Sequence, residues 1–135
     1  MLTSTAVLER MTVPGCVGSV PRARAFVTGL LAPEDPRGEA AQLLVSELVT
    51  NAVLHSDSRR PGGTVTVLVT EGEDGLRVEV IDEGSVHSVP VVRDDVLATQ
   101  GRGLLLVQSL AEEWGYSRDS LGTTVWFRLG PRRRE

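Results

Sequence analysis

The chain has 135 residues, of which 41% are hydrophobic and 24% are charged, a composition typical of a soluble globular protein. That length suits one domain with a core of its own, and no apolar run reaches the roughly 20 residues of a membrane span. The formal charge of −4 argues against nucleic acid as a partner. We therefore expect a single domain over residues 7–131 with flexible ends at 1–6 and 132–135, without membrane or direct nucleic-acid contact.

Two features of the composition narrow the possible chemistry. All 14 basic residues are arginine, which excludes mechanisms that depend on a lysine, namely the P-loop, the ordinary protein kinase and Schiff-base catalysis. Any bound phosphate must then be neutralised by a metal, an arginine or backbone N–H groups. The one cysteine, Cys16, cannot form an internal disulfide, and it fits a reducing cytoplasm.

The hydrophobic periodicity predicts both helices and strands. In chain order the predicted elements are an edge strand at 7–13, helices at 20–32 and 38–55, a strand pair at 64–70 and 76–82, a helix at 103–114, and a last hairpin from 115–119 into 123–129. Residues 83–100 show no strong periodicity, and we expect the stretch 85–100 to be a mobile lid. This order predicts an α+β fold, a two-layer sandwich with helices on one face of a mixed, mostly antiparallel sheet.

Three polar residues recur at intervals of four along the predicted second helix. Glu47, Asn51 and His55 stack on one helix face within SELVTNAVLHS, a segment that is otherwise mostly apolar. Because a helix that is apolar nearly all round is buried, this row should face something that needs charge. An amide oxygen suits Mg²⁺, and a carboxylate one turn away can accept a proton from a hydroxyl or water. The alternatives are a solvated polar stripe and, for His55, a helix-end histidine near the dipole.

Strand parity places two further polar side chains in the core. Asp82 shares a face with the apolar residues of its strand, so it points inward from the strand's end. By the same parity the hydroxyl of Thr123 points inward beside Asp82 on the last strand. A buried carboxylate without a partner costs several kcal/mol, and an exocyclic amine on a ligand would supply that partner. The alternative is a strand-end aspartate that caps a turn.

A glycine-rich turn, Gly101-Arg102-Gly103, opens the predicted third helix. Glycines let a backbone come close to phosphate, and a helix start offers free N–H donors. Arg102 can add positive charge at the same place. The alternative is an ordinary loop followed by a helix start.

In their order and spacing, these motifs resemble the ATP-binding domain shared by gyrase, heat-shock chaperones and sensor histidine kinases, the GHKL superfamily. The resemblance covers about residues 20–129 and looks closest to the small bacterial anti-sigma-factor serine/threonine kinases. It implies Glu47 as the base and Asn51 as the metal ligand in SELVTNAVLHS, and Asp82 on the adenine amine in VIDEG. It also implies Gly84 beneath the ring, the phosphate-lid glycines Gly101 and Gly103 in GRGLLLV, and Gly122 and Thr123 near adenine in GTTVWF. Beside these we expect His55 at the phosphate end, and Arg102 and Leu104 next to the glycines, to contact the nucleotide.

The resemblance implies a Mg-ATP-dependent protein kinase that phosphorylates a serine or threonine of an anti-anti-sigma antagonist and sequesters a sigma factor. It also implies a homodimer, formed through the sheet or the first helix. One departure keeps a second hypothesis open, an ATP-gated partner-binding module without phosphoryl transfer, because Val86 replaces the second glycine of the usual D-x-G-x-G. A third hypothesis, a detached histidine-kinase catalytic domain, would need a phosphoacceptor histidine on a dimerisation helix, and neither His55 nor His87 has that setting.

Overall fold

The computed structural model describes residues 5–55, 61–83, 110–119 and 122–131. In chain order its elements are β1 (Thr5–Pro14), α1 (Ser19–Gly29), α2 (Gly38–His55), β2 (Thr64–Gly72), β3 (Gly75–Asp82), β4 (Glu113–Asp119) and β5 (Gly122–Leu129). The strands form one sheet in the order β1-β2-β3-β5-β4, and each described pairing is antiparallel. The two helices pack against each other and against one face of this sheet. The predicted α+β two-layer fold is confirmed, with β1 at an edge of the sheet as expected.

Alternation along the strands builds the sheet side of the core. Val65, Val67 and Val69 of β2 are fully buried, whereas Thr66 and Leu68 between them are half-buried on the opposite face. This alternation of burial, with a β-branched valine at each buried position, favours a half-covered strand, because β-branched side chains pack well on a pleated surface. β3 repeats the pattern, and Phe127 and Leu129 of β5 complete the buried face.

The helix side of the core is supplied mainly by α2. No residue between Leu44 and Leu54 is exposed, and its apolar side chains pack against β2, β3 and β5. Each fully buried valine or leucine contributes about 1.5–3 kcal/mol, so α2 holds the two layers together. Its bounds agree with the prediction of 38–55. Neither α1 nor α2 combines the length and hydropathy that a membrane-crossing helix needs.

α1 is anchored at its start and ends earlier than predicted. The buried Ser19 hydroxyl donates a hydrogen bond of 2.7 Å to the Pro14 carbonyl at the end of β1. After Gly29 the chain tightens, because the Leu30 N–H binds the Val27 carbonyl at 3.1 Å, three residues back rather than four. The helix therefore ends at Gly29, where the predicted helix ran on to residue 32.

The tight turn between β2 and β3 depends on Gly75. Its φ of +121° is open to glycine and strained for other residues. A Cβ there would also lie 2.0 Å from the Leu129 carbonyl oxygen, so β5 could not approach β3 at this point. The predicted strand pair at 64–70 and 76–82 is confirmed, and the strands extend further, to Gly72 and from Gly75.

The predicted third helix extends too far at its end. Leu110 is helical, but Glu113 and Trp114 already belong to β4, where they pair with Arg128 and Phe127. The spacing of four residues between the apolar Leu110 and Trp114 fits a helix turn, yet an aromatic side chain also suits a strand, and pairing with β5 decides between them. Residues 103–109, like the expected lid at 85–100, lie outside the described residues.

Candidate functional site

The ends of β3 and β5 bring two buried polar side chains together. Asp82 is the last residue of β3, Thr123 is the second residue of β5, and the two are direct cross-strand partners. Each is only 9% exposed, on the sheet face that carries the core. The Cβ atoms of such partners lie about 4.5–5.5 Å apart, so one ligand group can reach both side chains. This is the placement that strand parity predicts, while the roles of both residues stay predictions.

Gly122 lets β5 press against the end of β3. A Cβ on Gly122 would lie 1.8 Å from the backbone carbonyl oxygen of Asp82, which is far inside any permitted contact. The Gly122 N–H donates a hydrogen bond of 3.2 Å to the Asp119 carboxylate, which holds the start of the strand in place. A glycine is therefore required here by packing, a reason that the sequence motif alone does not reveal.

Asn51 carries the clearest sign of a missing partner. Both polar atoms of its side-chain amide are buried, and neither has a hydrogen-bond partner among the residues that the structure describes. Leaving a buried donor or acceptor unsatisfied costs about 1–3 kcal/mol, and native proteins rarely do so without a functional reason. An amide oxygen is a good ligand for a hard cation. In the described ranges no three His, Cys, Asp or Glu side chains gather as a metal site, so a cation here would take its other ligands from water and a bound anion, as Mg²⁺ commonly does.

Glu47 lies one helical turn before Asn51 and on the same face of α2. It is half-buried, within the part of the helix that has no exposed residue. Residues four apart on a helix are neighbours, so the carboxylate and the amide line one stripe. His55 follows as the last residue of α2, and its side chain lies outside the described part of the structure. Glu47 and Asn51 thus place a carboxylate and an unpartnered amide side by side on a buried helix.

A buried arginine fixes the direction of α2 on the sheet. Arg37, just before the helix, donates hydrogen bonds of 2.7 and 2.9 Å to Glu71 at the end of β2, and one of 3.2 Å to the Gly130 carbonyl after β5. Both residues lie at the opposite end of the sheet from Asp82. Because α2 starts there and packs along β3, its C-terminal half, with Glu47 and Asn51, runs toward the end that holds Asp82 and Thr123.

The motifs of the sequence do not reveal the cluster around Arg37. Its Nε and one terminal nitrogen donate to the two Asp35 oxygens at 3.0 and 2.9 Å. Together with the bonds to Glu71 and Gly130, these give every N–H group of the guanidinium an acceptor. Hydrogen bonds to Asp35 and then to Glu71 raise the pKa of Arg37 above its ordinary value. The guanidinium therefore keeps its charge at any pH the protein would meet. Asp35-Pro36-Arg37 is predicted to be a loop, and nothing in the sequence pairs it with residue 71.

Several predicted site residues cannot be placed by the structure. They lie outside the described residues and are Gly84, Gly101, Arg102, Gly103 and Leu104, together with Val86, which stands at the second glycine position of D-x-G-x-G. Their roles stay predictions that rest on the motif resemblance.

A family model described as the histidine kinase-like ATPase domain matches residues 14–129 of the chain. The chain belongs to this family. The match contains α2, the β3 end and the β5 start, so every described residue of the candidate site lies within the ATPase domain.

Curated relatives of this ATPase domain carry the name anti-sigma F factor. The one from Bacillus cytotoxicus is 29% identical over 114 residues, which cover 76% of this chain and 78% of that protein. The one from Lysinibacillus sphaericus is 29% identical over 116 residues, covering 78% and 80%. That of Bacillus thuringiensis is 28% identical over 114 residues, covering 76% and 78%. The similarity extends over most of each chain rather than over a shared motif alone.

Proposed function

We propose that this ATPase domain is a Mg-ATP-binding anti-sigma regulator that acts as a serine/threonine protein kinase on an anti-anti-sigma antagonist. The observation that carries the proposal is the buried amide of Asn51, which has no hydrogen-bond partner in the described part of the chain and lies one helical turn from Glu47. Membership of the ATPase domain family supports nucleotide binding. The relatives named anti-sigma F factor support a sigma factor as partner.

The nucleotide base would be held at the Asp82 end of the sheet. The Asp82 carboxylate can accept a hydrogen bond from the exocyclic amine of adenine, with the Thr123 hydroxyl beside it. Gly122 keeps this corner narrow, because β5 touches the Asp82 carbonyl there. By motif resemblance, Gly84 would lie beneath the ring, and Gly101, Arg102, Gly103 and Leu104 would form the phosphate lid, with His55 near the phosphates. Asp82 thereby sets the preference for a base with an amine donor.

The α2 residues would act at the phosphate end. The Asn51 amide oxygen would hold Mg²⁺, and its unpartnered state in the free protein fits that role. The Glu47 carboxylate would accept the proton of the substrate hydroxyl, one turn from the metal. Mg-ATP, when bound, would supply the phosphoryl group, and its Mg²⁺ would offset the negative charge on that group during transfer. The partial burial of Glu47 and Asn51 reduces their contact with water, which strengthens the electrostatic interactions there.

The proposed partners are a sigma factor and an anti-anti-sigma antagonist, and the proposed location is the cytoplasm, which the lone Cys16 fits. A homodimer through the sheet or the first helix belongs to the same proposal. An ATP-gated binding module that sequesters its partner without phosphoryl transfer is the second candidate. The observation in its favour is Val86, which stands where the second glycine of the adenine box is usual.

Calorimetric titration with ADP, with and without Mg²⁺, tests the nucleotide site directly. We expect Mg²⁺ to strengthen ADP binding by the unmutated protein, and Asn51→Ala to lose that gain while metal-free binding is kept. Ser46→Ala is the matched control, because the Ser46 hydroxyl on the same helix is already satisfied by the Gln42 carbonyl at 2.8 Å. Failure of the unmutated protein to bind ADP, or an equal loss with and without Mg²⁺, would contradict the proposal.

A further inference from the structure

The end of β3 is supported unequally by its two neighbours. On the β5 side the pairing continues to Asp82, which lies opposite Thr123. On the β2 side the last pair is Thr66 with Ile81, so Asp82 and Glu83 lie beyond it. A strand end that is paired on one side only is prone to fray away from the unpaired side. The backbone pairing with β2 therefore stops one residue before Asp82, while the pairing with β5 includes it.

The Glu83 side chain connects the end of β3 to β2, beyond the last backbone pair of these two strands. One Glu83 carboxylate oxygen accepts hydrogen bonds from the Thr64 backbone N–H at 2.8 Å and from the Thr64 hydroxyl at 3.2 Å. The carboxylate thus takes the place of a backbone carbonyl that would have continued the sheet. A backbone N–H that donates to a carboxylate makes a charge-assisted hydrogen bond, and this one lies at an exposed position.

Thr64 is itself a fixed point at this end of the sheet. It pairs with Pro14 of β1, and the preceding Gly63 carbonyl accepts a hydrogen bond of 3.0 Å from the Gly15 N–H. Ser19 ties the start of α1 to the same Pro14. Glu83 therefore connects the exit of β3 to a part of the sheet that β1 and α1 both hold.

We propose that Glu83 and Thr64 form a clasp that positions Asp82 for the nucleotide, an inference that rests on the proposed nucleotide site. The Asp82 backbone would be held from one side by the Gly122 contact and from the other by the clasp. Glu83 is a positioning residue, since it acts through Asp82 and the chain that leads to Gly84. Opening the clasp lets the backbone at the end of β3 move, and the hydrogen bond from Asp82 to the base weakens accordingly.

The test is a double-mutant cycle on ADP affinity, measured by competition against a fluorescent ADP analogue. We expect Glu83→Ala to weaken ADP binding about three- to tenfold, the range of one net hydrogen bond. In an Asp82→Asn background the same substitution should cost about twofold or less, because its effect passes through Asp82. Glu83→Gln should restore most of the affinity, since its amide oxygen still accepts from Thr64. Thr64→Val, which removes only the longer bond, should show a smaller loss in the same direction.

Glu79→Ala is the matched control on the same strand. Its carboxylate binds Arg77 at 2.8 Å on the opposite face of the sheet, so ADP affinity should not change. Unchanged ADP affinity in Glu83→Ala would overturn the clasp, and so would an equal loss in both backgrounds. If the unmutated protein does not bind ADP, the proposed nucleotide site itself fails, so the two failures are distinguishable.

Discussion

Asp82 and Thr123 lie directly opposite each other where β3 ends and β5 begins, and both are buried. The same corner contains the contact between Gly122 and the Asp82 carbonyl, so the two strand ends cannot separate without losing packing. The Asp82 carboxylate can accept a hydrogen bond and the Thr123 hydroxyl can donate one, and the two groups lie close together on the sheet face that the helices cover. Such a pair suits a heterocycle that presents an amine and a ring nitrogen side by side.

Asp82→Asn should weaken ATP and ADP alike. The substitution keeps the shape but replaces the charged acceptor for the adenine amine, so the expected loss is about 1.5–3 kcal/mol of binding free energy. Calorimetry with each nucleotide measures it. Glu79→Gln is the control, because it makes the same kind of change on the outward face of β3. Unchanged ADP affinity in Asp82→Asn would show that the base does not bind at Asp82.

Asn51→Leu should stabilise the ligand-free protein. Its amide is buried and finds no hydrogen-bond partner within residues 5–55, 61–83, 110–119 and 122–131. An apolar side chain of similar size should remove a desolvation cost, and we expect about 1 kcal/mol more free energy of unfolding. Urea unfolding without nucleotide gives this value. Ser46→Ala on the same helix removes a satisfied hydroxyl and should give no such gain. A clear loss of stability in Asn51→Leu would mean that the amide already serves the fold.

Arg37→Met should destabilise the fold strongly. Arg37 has a side chain that is 9% exposed and binds Asp35, which is 2% exposed, so the substitution removes the countercharge of a buried carboxylate. Breaking such a pair from one side costs about 3–5 kcal/mol of unfolding free energy. Arg77→Met is the matched control, because Arg77 is 38% exposed in its pair with Glu79 and should cost about 1 kcal/mol or less. Similar losses in both variants would argue against the anchoring role of Arg37.

Short-range sequence patterns were enough to predict much of the fold and the inward positions of Asp82 and Thr123 in the candidate site. The alternation in β3 and β5 depends only on neighbouring residues, so the inward positions of Asp82 and Thr123 could be predicted from parity alone. The bounds of α2 followed from a long apolar stretch with a glycine and an acidic residue at its start. These features are encoded in short windows of the chain.

Features that depend on distant contacts could not be predicted. Arg37 meets Glu71 and Gly130, which are 34 and 93 residues away in the chain, and no local signal links them. The change from helix to strand near Trp114 was missed because pairing with Phe127 outweighs local helical spacing. That Asn51 is unpartnered is likewise a property of the packed molecule. The sequence could suggest its role but not its missing hydrogen bonds.

Phosphorylation of the cognate antagonist by Glu47→Gln, at saturating Mg-ATP, tests the central claim most directly. A general base acts on the attacking hydroxyl and not on the bound nucleotide, so its removal should lower turnover and leave binding nearly intact. We expect ATP affinity within about twofold of the unmutated protein, and phosphoryl transfer reduced by ~10²–10⁴, the usual share of general-base catalysis. Full transfer activity in Glu47→Gln would deny Glu47 its role as the base. No transfer by the unmutated protein with its true partner would contradict the kinase and favour the ATP-gated binding module.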